Sequence, residues 1–165
     1  MLLLSKTSEY ALRAVVCLAS HHGEPIVTSQ LAELTRVPAG YLSKVLQQLG
    51  RGGLVQAQRG LHGGFSLARP PAEMTILDVL NAVDPVPRIR GCPLGLKSHG
   101  TNLCPLHRQL DDALASIEQA FAGSTLADLL NEPTDSPPLC EADTTANKQR
   151  LHVRQVVRPP IRGES

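Results

Sequence analysis

Apolar residues along the chain fall into helical and strand periods in a definite order. The strongest stripe is Leu42, Val45, Leu46 and Leu49, at i, i+3, i+4 and i+7, the spacing that lines one side of an α-helix. Pro38 suits the first turn of that helix, and Gly52-Gly53 ends it. Its opposite face carries Gly40, Tyr41, Ser43, Lys44, Gln47 and Gln48, small or hydrogen-bonding residues, none acidic. Ahead of it, Tyr10, Ala11, Ala14, Val15 and Leu18 give a helix from about Glu9 to His21, capped by Thr7 or Ser8 and stopped by Gly23. Within it Glu9 and Arg13 stand at i, i+4, spaced for a surface ion pair. Thr28 opens a second helix, Ser29 to Thr35, with Leu31 and Leu34 inward and Thr35-Arg36-Val37 as the turn that follows. After the third helix, residues 54–58 and 65–68 read as short strands around Arg59-Gly60-Leu61-His62-Gly63-Gly64, a glycine-rich hairpin turn.

Helix, helix, turn, helix, hairpin is the order of a winged helix-turn-helix. Thr75 and Asp78 form a capping-box pattern before a helix with Ile76, Val79, Leu80 and Val83 on one side, ended by Asp84-Pro85-Val86-Pro87. A glycine- and proline-bearing loop follows. Pro105 then starts the longest helix, to about Ala122, with Leu106, Leu110, Ala113, Leu114, Ile117 and Phe121 on one face. A stripe of four turns at the edge of a small domain is more apolar surface than one domain hides comfortably; either it packs on its own domain or it pairs with a second copy, and the second suits DNA readers that bind as two-fold dimers. Thr125 and Asp128 cap a last short helix with Leu126, Leu129 and Leu130 inward. The expected class is mostly α (α+β), a winged helix-turn-helix with a two-stranded wing plus a long C-terminal dimerisation helix. Its expected parts are a DNA-binding domain (1–83), a cysteine-containing loop (84–103), the dimerisation helix with its short successor (104–131), and a proline-rich, basic-ended tail (132–165), read as mobile.

Charge sharpens the picture. The 165 residues carry a formal net charge of only +1, yet no Asp or Glu lies between Leu34 and Ala72, where Arg36, Lys44, Arg51, Arg59 and Arg69 fall. That local run is the footprint of a phosphate-contacting surface. A helix of this kind enters the major groove of double-stranded DNA, where Ser, Gln and Lys side chains meet base edges, while a basic wing tip lies on the backbone or reaches the minor groove. Tyr41, Ser43, Lys44 and Gln47 are the candidate contacts on the helix, and Arg59, Gly60, His62 and Gly63 those at the wing. Aromatics are 2% of the chain with no Trp, so Leu, Val, Ala and Ile must build the core. No stretch approaches a membrane span, and Met1-Leu-Leu-Leu4 meets Ser5-Lys6 too soon for a signal peptide, so a cytoplasmic location is expected. Paired carboxylates in a pocket-like context, a phosphate-binding glycine loop and a nucleophile with an evident base are all missing from the pattern, which argues against an enzyme.

Four cysteines in a reducing compartment point to thiol or metal chemistry rather than structural disulfides. Cys17 falls inside the first helix near its apolar face, a core position. Cys92 and Cys104 bracket the loop before the long helix, and His107 lies three residues after Cys104, on the same side of the first turn. A helix N-terminus stabilises a thiolate. Two thiolates and an imidazole so placed suit zinc or an iron–sulfur cluster, although C-x11-C-x2-H is no standard zinc-finger spacing. The competing reading is two free thiols and a surface His.

Ser8-Glu9-Tyr10-Ala11-Leu12-Arg13-Ala14, Tyr41-Leu42-Ser43-Lys44-Val45-Leu46, Gly53-Leu54-Val55 and above all the wing, Arg59-Gly60-x-x-Gly63-Gly64-Phe65-x-Leu67, resemble the Rrf2 family of winged-helix transcriptional regulators, over about Leu2 to Leu130. That family includes the iron–sulfur cluster regulator and the nitrite-sensitive repressor. The resemblance implies a homodimeric, sequence-specific regulator, a repressor type, sensing redox, iron or nitric oxide status. Its cluster-bearing members hold three cysteines before the dimerisation helix, some with a His after the third. Cys92, Cys104 and His107 match the first Cys, the third Cys and the His, whereas Ser98, with His99 beside it, stands at the middle place. By this resemblance Cys92, Cys104 and His107 are expected ligands, with Glu9, His99 and Cys140 competing for a fourth site. A 2Fe–2S cluster is favoured over 4Fe–4S because the His matches the mixed type. Two alternatives stand beside it: the same DNA-binding regulator switched by cysteine oxidation or by zinc, and a winged-helix interaction module that does not bind DNA.

Overall fold

A computed structural model describes residues 4–21, 23–60, 63–92, 94–96, 102–134 and 138. His62, Ser98, His99, Cys140 and nearly all of the expected tail lie outside the described residues. Among the described residues, six helices and a two-stranded antiparallel sheet follow one another as α1 (Lys6–Ser20), α2 (Thr28–Thr35), α3 (Ala39–Arg51), β1 (Val55–Gln58), β2 (Gly64–Leu67), α4 (Ile76–Val83), α5 (Pro105–Ala122) and α6 (Leu126–Asn131), with one 3-10 turn at Pro71–Glu73. The winged helix-turn-helix expected from the apolar periods is the architecture observed.

Helix α1 is the centre of the core. Ala11, Ala14, Val15, Val16, Cys17, Leu18 and Ala19 are buried, and α2, α3, α4 and α6 all pack on α1. Leu42, Val45, Leu46 and Leu49 of α3 are fully buried against it, as their spacing requires. The start of α1 corrects the expectation. Ser5, not Thr7 or Ser8, is the N-cap, its hydroxyl accepting from the Ser8 N–H at 3.1 Å, so the helix begins at Lys6. Ser8 is buried and Thr7 is bonded to Tyr41 across the domain, leaving Ser5 for the cap. Thr28 likewise starts α2 without capping it; Val27 holds the N-cap position with no side-chain bond. The turn into α3 passes through Arg36 in left-handed conformation (φ 54°), with the Val37 and Arg36 N–H groups donating to Ala32 and Glu33 carbonyls.

In the wing Val55 pairs with Leu67 and Gln58 with Gly64. A single residue adds a third rung: Ile26 and Phe65 exchange backbone hydrogen bonds of 2.9 and 2.8 Å, tying the hairpin to the body. Val55 and Leu67 are buried at the root while Gln56 to Arg59 are exposed towards the tip.

Helices α4 and α6 start from one shared seam. Thr75 and Thr125 form an antiparallel bridge, Ile76 N–H donates to the Ser124 carbonyl and Leu126 N–H to that of Met74. Each helix opens with a Thr–Asp capping box. The Thr125 hydroxyl and N–H hold the Asp128 carboxyl below its ordinary range. Between them, α5 has no fully buried residue. Its stripe divides: Leu114, Ile117 and Phe121 are half-buried, whereas Leu106 is 65% and Leu110 48% exposed.

Candidate nucleic-acid interface and thiol centre

The four Leu and Val side chains that fix α3 to the core also fix which face it turns outward. Tyr41, Ser43, Lys44, Gln47 and Arg51 are exposed on it. Ser43 bonds back to the Ala39 carbonyl at 3.0 Å, so its hydroxyl proton is used within the helix. Tyr41 is more constrained than its sequence position suggests: its hydroxyl lies 2.8 Å from Thr7 Oγ1, and its ring meets Tyr10 edge-on, centroids 5.4 Å apart. A cleft of about 600 Å³ runs beside this face, lined by Ser5, Thr7, Tyr41, Lys44, Gln47, Gln48 and Arg51 of this side and by Asp84 at the end of α4, so two cations and one carboxylate stand along one channel. Arg59 and Gly60 are exposed at the wing, and Gly63 N–H closes the tip onto the Gly60 carbonyl at 2.9 Å. Arg69, counted in the basic run, instead turns towards Asp78 and the Glu73 carbonyl.

At the other end of the chain's functional residues, Cys104 is the N-cap of α5 and its Sγ lies 3.2 Å from His107 Nδ1. The spacing predicted this pair. Cys92 is half-buried on the preceding loop, where Gly95 N–H bonds its carbonyl at 3.0 Å. Among the described residues no three His, Cys, Asp or Glu side chains converge as a metal site, so the expected trio of Cys92, Cys104 and His107 is not assembled into one. Glu9, a candidate fourth ligand, is ion-paired with Arg13. That pair is not the surface pair its spacing suggests, for both side chains keep less than a third of their exposure. The donors gathered here therefore number two, and a metal or cluster needs Cys92 and a further ligand brought to them. Cys17 is core, as expected.

Sequence reasoning missed what holds the loop. The Arg88 guanidinium spans Asp111 (2.7 and 2.8 Å) and Glu118 (2.8 Å) on α5, and the Ile89 N–H donates to Asp111 at 2.8 Å. Cys104, His107, Asp111 and Glu118 follow at helical spacing, so clasp and thiol pair share one side of α5. The Arg88 guanidinium and the Ile89 N–H hold the Asp111 carboxyl at about 2, below its ordinary 3.8, and Arg88 is raised in turn. Because the folded value is depressed, the clasp's contribution is complete above pH 3.8 and is lost as pH falls through about 2. Exchange protection of the Ile89 amide, corrected for its intrinsic rate, should therefore hold constant from pH 8 to 4 and disappear only below; Asp111→Ala, which removes the acceptor, should lose it at every pH.

A helix-turn-helix with a polar, acid-free third helix and a paired wing defines a DNA-binding regulator fold. The Rrf2 profile, described as an iron-dependent transcriptional regulator, matches residues 4–132. The chain belongs to the Rrf2 family. It is 37% identical over 131 residues to an HTH-type transcriptional regulator of Mycobacterium tuberculosis, covering 76% of this chain and 80% of that protein. An HTH-type regulator of Aquifex aeolicus is 29% identical over 133 residues, 79% of this chain and 92% of the relative. Among solved structures, CymR, the global cysteine regulator of B. subtilis, superimposes with a TM-score of 0.67 at 24% identity, over 81% of this chain and all of that one. IscR of T. potens gives 0.66 at 24% identity, over 81% of this chain and 93% of that one. These relatives are transcriptional regulators rather than enzymes. Among the described residues no helix is long and apolar enough to cross a membrane.

Proposed function

We propose that the protein binds operator DNA sequence-specifically as a homodimer, a repressor type, and that the Cys92–Cys104–His107 segment reports redox, iron or nitric oxide status to it. The observation that carries the DNA reading is the outward face of α3 with the wing beside it: polar, basic and without a carboxylate from Leu34 to Ala72. Tyr41, Ser43, Lys44 and Gln47 contact phosphate and base edges, and the wing, through Arg59 with Gly60, His62 and Gly63 as further contacts, meets the backbone or minor groove. Arg59→Ala should weaken operator binding and lower the slope of log affinity against log salt by about 1. Unchanged binding at every salt concentration removes the wing from the interface.

The homodimer rests on exposed apolar surface. Leu94, Leu96, Leu106 and Leu110 are exposed around the thiol segment, a concentration of side chains that a second copy of α5 covers.

For the sensor, Cys92, Cys104 and His107 are the residues to hold an iron–sulfur cluster, 2Fe–2S by its mixed ligands, with 4Fe–4S second. Glu9, His99 or Cys140 completes the set. A bound cluster would supply a redox centre that gives up an electron to oxidants and reacts with nitric oxide. The alternative is a thiol switch: the Cys104 thiol beside His107 reduces a peroxide, which leaves as water, and the oxidised sulfur then closes a disulfide with Cys92 once the loop brings that thiol to it, releasing a second water. Anaerobic purification with absorption spectroscopy and metal analysis separates them. Coloured protein with iron and sulfide supports the cluster. Colourless, metal-free protein whose response survives chelation but not Cys104→Ser supports the thiols, and bound zinc alone supports a zinc-held loop. Loss of no response in any Cys104 variant overturns the sensor altogether.

A further inference from the structure

We propose that Arg13, which sits on α1 away from the polar face of α3, is a positioning residue for DNA reading, locking the α2–α3 turn to α1 and setting the rotation of α3 through the Tyr10–Tyr41 ring pair. The inference rests on α3 being the reading helix. Three contacts converge on this side chain, and a fourth carries them on to α3. One guanidinium nitrogen donates to Glu9, and the other terminal nitrogen to the Thr35 carbonyl at 3.4 Å. The guanidinium carbon stands 5.8 Å from the centroid of the Tyr10 ring, within cation–π range. Tyr10 in turn meets Tyr41 at an interplanar angle of 83°.

Thr35 is the last residue of α2, and its carbonyl lies at the negative end of that helix, where a cation is favoured. The next residue, Arg36, has a left-handed backbone, so the direction in which the chain enters α3 is decided within one residue of the Arg13 contact. Tyr41 lies in the first turn of α3 and is fastened on its far side by the Thr7 hydroxyl. Arg13 therefore fixes the angle at which α3 leaves the turn, and Tyr10 and Thr7 fix its rotation about its own axis. Those two quantities decide where Lys44 and Gln47 point.

The brace is not an economical way to stabilise a core. Arg13 Nε is buried with no hydrogen-bond partner among the described residues. A half-buried guanidinium with one nitrogen left unsatisfied adds little stability over an apolar side chain of similar volume, so its geometry, not its energy, accounts for the residue. Glu9 supplies the counter-charge and holds the fork in plane.

The test uses the full chain and duplexes selected from a random pool by the wild-type protein, with a scrambled duplex of the same composition as reference. Arg13→Gln should weaken binding to the selected duplex about tenfold while leaving the scrambled duplex within about twofold, because misaimed side chains lose base contacts and keep phosphate attraction. The salt slope should not change, since Arg13 contacts no phosphate. Arg13→Lys keeps the charge but not the planar fork and should recover only part of the ratio. Tyr10→Leu leaves Arg13 bonded to Glu9 and Thr35 and removes only the ring relay, so it tests the brace even if Arg13→Gln does not fold. It should lower the same ratio. A folded Arg13→Gln or Tyr10→Leu protein that discriminates like wild type overturns the proposal, as does a parallel loss on both duplexes, which marks a purely structural role. Wild-type protein that selects no sequence overturns the reading of α3 itself, and the brace with it.

Discussion

Gly64→Ala should detach the wing from the body of the domain. A Cβ at Gly64 would lie 2.6 Å from the Ile26 carbonyl carbon and oxygen and 2.9 Å from its nitrogen. These are backbone atoms, with no flexible end to swing aside. The Ile26–Phe65 rung must open, giving up both of its hydrogen bonds and part of the burial of Ile26. Two net hydrogen bonds at about 1 kcal/mol each and partial exposure of one Ile sum to on the order of 3 kcal/mol. A shifted urea midpoint and lost exchange protection at the Phe65 amide would register it, with weaker DNA binding as Arg59 moves off its path. A variant with wild-type stability and an intact rung would mean that the wing is not seated on Ile26.

Leu46→Ala, like truncation of Leu42 or Leu49, should be strongly destabilising. Leu46 is completely buried against α1, and removing its branched end leaves a cavity in a core that has few aromatics to collapse into it. The expected loss is about 2–5 kcal/mol, a large share of the roughly 5–15 kcal/mol that holds a domain of this size folded. Its neighbour gives the contrast. Gln47→Ala, on the outward face, should change stability by no more than about 0.5 kcal/mol yet weaken operator binding. Denaturant midpoints at unchanged m-value measure the first effect and a binding titration the second. If Gln47→Ala unfolds the protein and Leu46→Ala does not, the faces of α3 have been exchanged.

Most of the architecture was legible because it is written in local periods. The stripe of Leu42, Val45, Leu46 and Leu49 marked α3, Gly52 ended it, and Pro38, expected in its first turn, stands one place earlier as the N-cap; the bounds of α5 follow from Pro105 and Gly123. Thr75 with Asp78 and Thr125 with Asp128 were readable as caps. What escaped is of two kinds. Where several residues of one type compete, as Ser5, Thr7 and Ser8 do for the cap of α1, tertiary contacts choose among them, here through Tyr41. Where a contact joins distant residues singly, no period announces it. Ile26 makes a one-residue rung, and Arg88 finds Asp111 and Glu118 from 23 and 30 positions away. The site divides in the same way. The candidate contacts on α3 and the Cys104–His107 pair are set by helical spacing. The bracing of Tyr41 and the separation of Cys92 from that pair depend on how loops fold back.

The Thr75–Thr125 seam gives α5 a fulcrum. Its C-terminal end is fastened there, and Arg88 grips it at Asp111 and Glu118, but the two turns that carry Cys104, His107, Leu106 and Leu110 extend past the grip. With 18 residues the helix is a stiff rod of about 27 Å. A pull at the sulfur end therefore falls first on the Arg88 grip, and only with that grip released could the whole rod turn about the seam and carry Cys104 with it.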